Sequence, residues 1–276
     1  MTLHTYSNAP DFLADVQEFL ERNEDVNSLT LGVAGRLKPD DTSAYLATVR
    51  SDGAITTVAL MTPPYRLQIV AEEISGEAVE LIAHDVHNRR GNISGVMGRT
   101  PVSLALAEAF ASVAGIPFSE GKRLRLYRLD EVMPPPSTPG TFRQATEADL
   151  DLVAEWCAAF DREAVPNDPP RDQRALVEQK IAAGEIFLWE DGNPVSMAAR
   201  ARPTRTSTTV NLVYTPPELR GRGYASACVA ALSQYLLDNG RLCVLFTDLA
   251  NPTSNKIYQH IGYRPVCDFA EYRFDS

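Results

Sequence analysis

"VNLVYTPPELRGRGYAS", Val210 to Ser226, sets an apolar run, a proline pair, two arginines interleaved with two glycines and an alanine-containing helix start within one short span. The pattern predicts a strand over Thr208 to Thr215, a loop carrying Gly221 and Gly223, and a helix from about Gly223 to Asn239. The first amides of such a helix lack intrahelical partners and carry the positive end of its dipole. Strand, loop and helix together therefore predict an anion site suited to a pyrophosphate. Gly221 and Gly223 let the backbone approach the anion without a Cβ in the way and permit positive φ. Arg220 and Arg222 add charge and forked donors at the rim. The bland alternative is a glycine-rich strand-to-helix turn with solvated arginines. No GxxxxGK[ST] occurs, and "GRGYAS" lacks the third glycine and the following acid of a dinucleotide fold.

Working outward, the chain reads as strand (Leu242 to Thr247), helix (Ser254 to His260) and a last strand near Phe269 to Phe274. Upstream, "TFRQATEADLDLVAEWCAAF" begins as a strand and turns into a helix with Leu150, Val153, Trp156, Cys157 and Phe160 at helical spacing behind Thr146 as N-cap. A second helix covers about Arg171 to Ala183 and is ended by Gly184. "IFLWEDGNPVSMAARA" then places two apolar runs around Asp191-Gly192, the strongest short hairpin signal. The order is β-α-α-β-β-β-α-β-α-β.

"VMPPPSTPG", Val132 to Gly140, favours extended polyproline II and reads as a spacer outside any packed element. It divides the chain into 1–131, a linker over 132–140, and 141–276. The first half echoes the second: a helix over about Pro10 to Glu21, a hairpin around Asp52-Gly53, then "RLQIVA", helix, "ISGVMG", helix and "KRLRLYRL". The fold class expected is α/β, an α+β mixed sheet in two copies. No glycine–arginine loop follows "RLQIVA"; "EEISGEAVE" puts acids at the helix start, which repel a pyrophosphate.

With a net charge of −10 and scattered arginines and lysines, the chain has no basic stripe for nucleic acid. It has no long uninterrupted apolar tract, and "MTLHTYSNAPDFLADV" lacks the charged and apolar regions of a signal peptide, so a cytoplasmic protein without a membrane partner is expected. Cys157, Cys228, Cys243 and Cys267 form no CxxC pair and read as small core residues. His84 and His87, at i and i+3, are too few for a metal, and none is expected. A homodimer is left open.

Arg220-x-x-Gly223-x-Ala225 resembles the R/Q-x-x-G-x-G/A motif of the GNAT superfamily of acyl-CoA-dependent N-acetyltransferases. "VNLVYTPPEL" is similar to its fourth strand, and "LFTDLANPTSNKIYQHIGYRPV" to its next signature of strand, Asn, helix, aromatic and Gly-aromatic. The resemblance covers about Thr141 to Phe274, and its wording is nearest the predicted acetyltransferases with a divergent N-terminal half and the glycine N-acyltransferase-like group. It implies tandem GNAT-like domains, the C-terminal one complete and the N-terminal one degenerate, with acetyl-CoA as cofactor.

By that resemblance coenzyme A lies in a splay between the fourth and fifth strands. Its pantetheine pairs with the backbone of Leu212, Val213, Tyr214 and Thr215, and its pyrophosphate sits on Arg220, Gly221, Arg222, Gly223, Tyr224, Ala225 and Ser226. Asn251, Ser254 and Asn255 face the pantetheine or the helix start, although Asn251 before Pro252 is equally an N-cap with proline at N1. Tyr258 stands at the superfamily's tyrosine and would protonate the departing thiolate; filling the core is the alternative. The amide near Val213 is the expected oxyanion donor. Where many relatives carry a glutamate this chain has Asn211, whose carboxamide takes no proton, so a water relay or no dedicated base is expected; Asp248 is a weaker candidate, as readily a turn carboxylate.

The expected activity is transfer of an acetyl or short acyl group from acyl-CoA to a primary amine of a small molecule or peptide, by direct attack in a ternary complex. A non-catalytic acyl-CoA sensor is the alternative. "FDREAVPNDPPRDQR", Phe160 to Arg174, carries acids that lean toward a cationic amine.

Overall fold

Caps predictable from composition start most of the helices in the computed structural model, which describes residues 1–275. The chain divides into two units. One holds residues 1–126 and 248–250 together with the chain from Val266 onward; the other holds 127–247 and 251–265.

The first unit begins with β1 (Thr2–Thr5), α1 (Ala9–Glu21) and α2 (Ser28–Ala34). It continues through β2 (Tyr45–Ser51), β3 (Ala54–Met61), β4 (Leu67–Ala71), α3 (Gly76–Arg90), β5 (Gly95–Arg99) and α4 (Val102–Ala114), and takes in most of β6 (Phe118–Leu129). Strands β1 to β4 pair antiparallel in chain order, and β4 pairs parallel with β5 across α3. Alternation along β3 serves two cores: Val58 and Leu60 pack with α1, while Ala59 and Met61 pack with α3 and α4. The Asp52-Gly53 hairpin forms as expected, with both residues at positive φ. β1 and α2, missed in the sequence, are both short, and α2 has no side-chain cap to announce it.

The second unit runs through β7 (Thr141–Gln144), α5 (Leu150–Ala164), α6 (Gln173–Ala182), β8 (Ile186–Asp191), β9 (Asn193–Ala201), β10 (Ser207–Tyr214), α7 (Tyr224–Asp238), β11 (Leu242–Asp248, its last residue outside the unit) and α8 (Pro252–Ile261). This is the expected element order. β7 to β10 form an antiparallel meander, and β10 pairs parallel with β11. Thr146 and Asp149 make a capping box ahead of α5, reached through one 3-10 turn. Phe187, Val210, Cys228 and Leu245 form the core under α7 and α8; Leu188, Met197, Ala199 and Leu212 form the one under α5 and α6.

Two features depart from the sequence reading. The last strand, β12 (Arg264–Phe274), starts earlier than expected and from Val266 clusters with the first unit, pairing antiparallel with β5 from Phe269↔Arg99 to Arg273↔Gly95. Its Ala270, Tyr272 and Phe274 enter the α3–α4 core, and Arg125 of β6 holds Asp268 at 2.7 and 2.9 Å. A strand's pattern fixes which face is buried but not which strand it joins. The proline-rich stretch is likewise no free spacer: it forms no regular element, yet the Met133 N–H donates to Ile261 O at 2.7 Å and Trp189 Nε1 donates to Pro139 O at 2.8 Å. No helix is long and apolar enough to cross a membrane among the described residues.

Candidate active site

Between Asn211 and Tyr214 the pairing of β10 with β9 slips register, and neither Leu212 nor Val213 has a partner residue on β9. Leu212 sits at φ 49°, a left-handed conformation that a branched side chain adopts at a cost of roughly 1–2 kcal/mol. Bulges of this kind re-aim backbone amides out of the ladder. Ser196 of β9 braces the far side: its hydroxyl donates to Tyr214 O at 3.1 Å and lies 2.9 Å from Thr215 Oγ1. The parallel pairing with β11 runs from Ser207↔Leu242 to Thr209↔Val244 and is not continued beyond it among the described residues. The strands thus part just before the bulge, leaving the backbone of Leu212 to Thr215 beside the opening.

The loop that follows has the predicted geometry. Gly221 lies at φ 77° and Gly223 at φ 86°; Gly223 is the N-cap of α7 and no side chain caps that helix. Its first amides, from Tyr224 to Ser226, are left for an external acceptor. The arginines do something other than expected. Arg220 Nε donates to Thr215 O at 2.9 Å, its other nitrogen holds Glu163 of α5 at 2.7 and 3.0 Å, and the guanidinium lies 5.7 Å from the Tyr214 ring. Arg220 therefore staples loop to strand. Arg222 donates to Glu218 O at 3.2 Å, and the Tyr224 hydroxyl donates to Asp191 at 2.7 Å. A Cβ on Gly223 would stand 2.8 Å from Thr138 Oγ1, so the proline-rich segment forms one wall of the loop.

At the start of α8, Asn251 is the N-cap, accepting from the Ser254 N–H at 3.0 Å, with Pro252 at the first helical position. Asn255 donates to Asn251 O at 2.7 Å and accepts from the Tyr127 hydroxyl at 2.9 Å, so both halves of its carboxamide are engaged. Asp248 accepts from the Ala250 N–H at 2.8 Å, which is the turn role. Tyr258 is 8% exposed and packs edge-on against Tyr263. Burial alone pushes its phenol up to about 12, and its hydroxyl forms no hydrogen bond among the described residues. Asn211 Oδ1 is shut from solvent and has no hydrogen-bond partner among the described residues.

Within the Phe160–Arg174 segment, Asp161 meets Arg171 at 2.7 Å, Glu163 meets Arg220 at 2.7 Å, and Asp172 caps α6 by accepting from the Ala175 N–H at 3.1 Å. Two of the acids expected to draw a cationic amine are thus already paired with arginines. The corresponding loop of the first unit is closed. Ser75 caps α3 by accepting from the Ala78 N–H at 3.3 Å, and Glu77 in the first turn pairs with the N-terminal amine at 2.7 Å. A Cβ on Gly98 would stand 2.7 Å from Ile69 O, so β4 and β5 approach too closely to admit a ligand between them there.

Sequence reasoning missed the bulge at Leu212, the Glu163 staple and the Thr138 wall. None has a local signature, since a left-handed leucine, a long-range ion pair and a packed polyproline segment all depend on tertiary contacts.

Residues 190–274 match the family described as FR47-like protein. No curated protein matches the sequence. Among solved structures, a GNAT-family acetyltransferase from Colwellia psychrerythraea is similar over 100% of both chains, at TM-score 0.62 and 15% identity. A GCN5-related N-acetyltransferase from Sphaerobacter thermophilus is similar at TM-score 0.63 and 17% identity, over 99% of this chain and 95% of that one. A tandem GNAT protein from the clavulanic acid biosynthesis pathway is similar at TM-score 0.59 and 14% identity, over 99% and 98%.

Proposed function

We propose that this chain, whose fold is that of the tandem GNAT acetyltransferases, transfers an acetyl or short acyl group from acyl-CoA to a primary amine by direct attack in a ternary complex. The observation that carries the reading is the bulge at Leu212 where β10 parts from β11, directly ahead of an uncapped helix reached through two left-handed glycines. The residues fit coenzyme A. The amides of Gly221 to Ser226 suit its pyrophosphate, and the unpaired backbone of Leu212 to Thr215 suits the amides of a pantetheine arm. Acyl-CoA supplies a thioester, whose carbonyl is open to an amine and whose sulfur is a good leaving group.

The chain's own groups then have distinct tasks. The Val213 N–H, released from the ladder, donates to the carbonyl oxygen as negative charge gathers there. Tyr258 keeps its proton at neutral pH and gives it to the departing sulfur. Arg220 acts by fixing the loop between Thr215 and Glu163. Asn251 and Asn255 hold the start of α8, and with it Tyr258. The first unit binds no coenzyme A in this reading, because its equivalent loop is capped by Ser75 and its strands are closed at Gly98.

Thiol release from acetyl-CoA over a panel of primary amines tests the proposal. Turnover that requires both substrates supports it; acetyl-CoA binding with no turnover on any amine points to a sensor, and no binding at all rejects the site.

A further inference from the structure

The proline-rich segment is fastened at both ends within the second unit. The Met133 N–H donates to Ile261 O at the end of α8, and Trp189 Nε1 of β8 donates to Pro139 O at 2.8 Å. Gly140, at φ 120°, lies against that indole, where a Cβ would stand 2.5 Å from Trp189 Nε1. Between the two anchors, Pro134, Pro135 and Pro136 have their φ fixed by their rings and carry no N–H. The polar hydrogens of the span therefore come from Ser137 and Thr138 alone. A strap held in this way loses little freedom when a ligand settles against it, so a donor placed on it is preorganised.

Thr138 is the residue that the strap sets on the glycine loop. The three atoms nearest to where a Cβ of Gly223 would stand all belong to Thr138, with Oγ1 at 2.8 Å, Cγ2 at 3.8 Å and Cβ at 3.9 Å. Gly223 is the N-cap of α7, the helix whose first amides no side chain caps. The place is open to a ligand: Gly221, Arg222 and Gly223 are exposed, and Thr138 is half-exposed. The Thr138 hydroxyl donates to Pro136 O at 3.2 Å, longer than the usual O–H···O separation of about 2.7–2.8 Å. A hydroxyl rotates to suit its acceptor, and an anionic phosphate oxygen is a stronger acceptor than a neutral carbonyl.

We propose that Thr138 Oγ1 donates to the pyrophosphate of acyl-CoA, so that the proline-rich strap adds a side-chain donor to the backbone amides of the loop. The inference rests on the acyl-CoA reading and assigns a further binding residue to that site. The loop's own polar side chains are bonded within the protein. Arg220 holds Thr215 O and Glu163, Arg222 donates to Glu218 O, and the Tyr224 hydroxyl donates to Asp191. Thr138 alone gives up only a long bond to a neutral acceptor when it turns toward the anion.

The test measures Kd by calorimetry on the full chain for acetyl-CoA and for acetyl-dephospho-CoA, which keeps the pyrophosphate and lacks the 3′-phosphate. Thr138→Val exchanges the hydroxyl for a methyl of the same shape. It should raise Kd roughly tenfold for both ligands, the loss of one hydrogen bond to a charged group. Thr138→Ser keeps the hydroxyl and should bind as the parent does. Hydrogen exchange at the Met133 amide and the Trp189 indole N–H, read without ligand, should be the same in parent and variants, because both anchors are untouched. An unchanged Kd in Thr138→Val, a Thr138→Ser variant as weak as Thr138→Val, or a loss seen with acetyl-CoA and absent with acetyl-dephospho-CoA would overturn the proposal alone. So would a loss accompanied by faster exchange at the two anchors, since Thr138 would then be only a fastener of the strap. A parent that binds no acetyl-CoA rejects the acyl-CoA site itself, and this proposal falls with it.

Discussion

At the scale of single residues, Tyr258 and Asp149 show opposite uses of burial. Tyr258 has a hydroxyl with no hydrogen bond among the described residues and a phenol pushed up to about 12 by burial, which keeps a proton available across the neutral range. Tyr258→Phe removes one oxygen and preserves the ring packing against Tyr263, so kcat should fall by about 10²-fold or more while acetyl-CoA affinity holds. Turnover at the parent rate would retire the acid role. Asp149 instead is held as an anion at about 2, first by the paired Arg143 guanidinium and then by the Thr146 amide and hydroxyl. Its folded pKa lies below the usual carboxylate value of 3.8, so the stability it contributes is present above that value and is lost as pH falls toward 2. Asp149→Asn keeps an acceptor for the Thr146 amide and removes the charge. It should cost about 2 kcal/mol at pH 7, with thermal unfolding of parent and variant converging near pH 2.

At the scale of elements, the strand–loop–helix around Gly223 decides whether a phosphate can be held. Gly223 needs φ 86°, and any side chain there both strains the backbone and points at Thr138. Gly223→Val should weaken coenzyme A binding by tenfold or more while the first unit remains folded; calorimetry together with hydrogen exchange reads both, and undiminished affinity would move the site elsewhere. This element was legible in the sequence because Gly, Pro and Arg mark its corners and the alternation of β10 and the helical spacing of α7 are local signals. The bulge one step earlier was not. Leu212 carries no sign of its left-handed φ, which the bracing of Tyr214 and Thr215 by Ser196 supports. Asn251 shows a middle case: the Asn-Pro pair announced a helix start, and the cap is what formed. The Arg220–Glu163 pair was not legible because Glu163 lies on α5, far from Arg220 in the chain.

At the scale of the whole molecule, the division of the chain into units is set by strand partners more than by the proline run. Reading 1–131 and 141–276 as separate domains follows from composition, yet β12 pairs with β5, while Tyr127 and Leu129, at the end of β6, enter the core under α7. The two readings make opposite predictions for a substitution near the C-terminus. Phe274 is buried in the α3–α4 core, its ring 4.6 Å from that of Phe110. Phe274→Ala removes a large buried ring and leaves a cavity, which should cost roughly 3–5 kcal/mol. If β12 belongs to the first unit, hydrogen exchange should quicken in β4, β5, α3 and α4, while α7 stays protected and acetyl-CoA affinity holds. Faster exchange confined to β10, α7 and β11, with loss of acetyl-CoA binding, would return the last strand to the C-terminal domain. The first outcome is expected because Ala270, Tyr272 and Phe274 all point into one core built from β2 to β5 and their two helices.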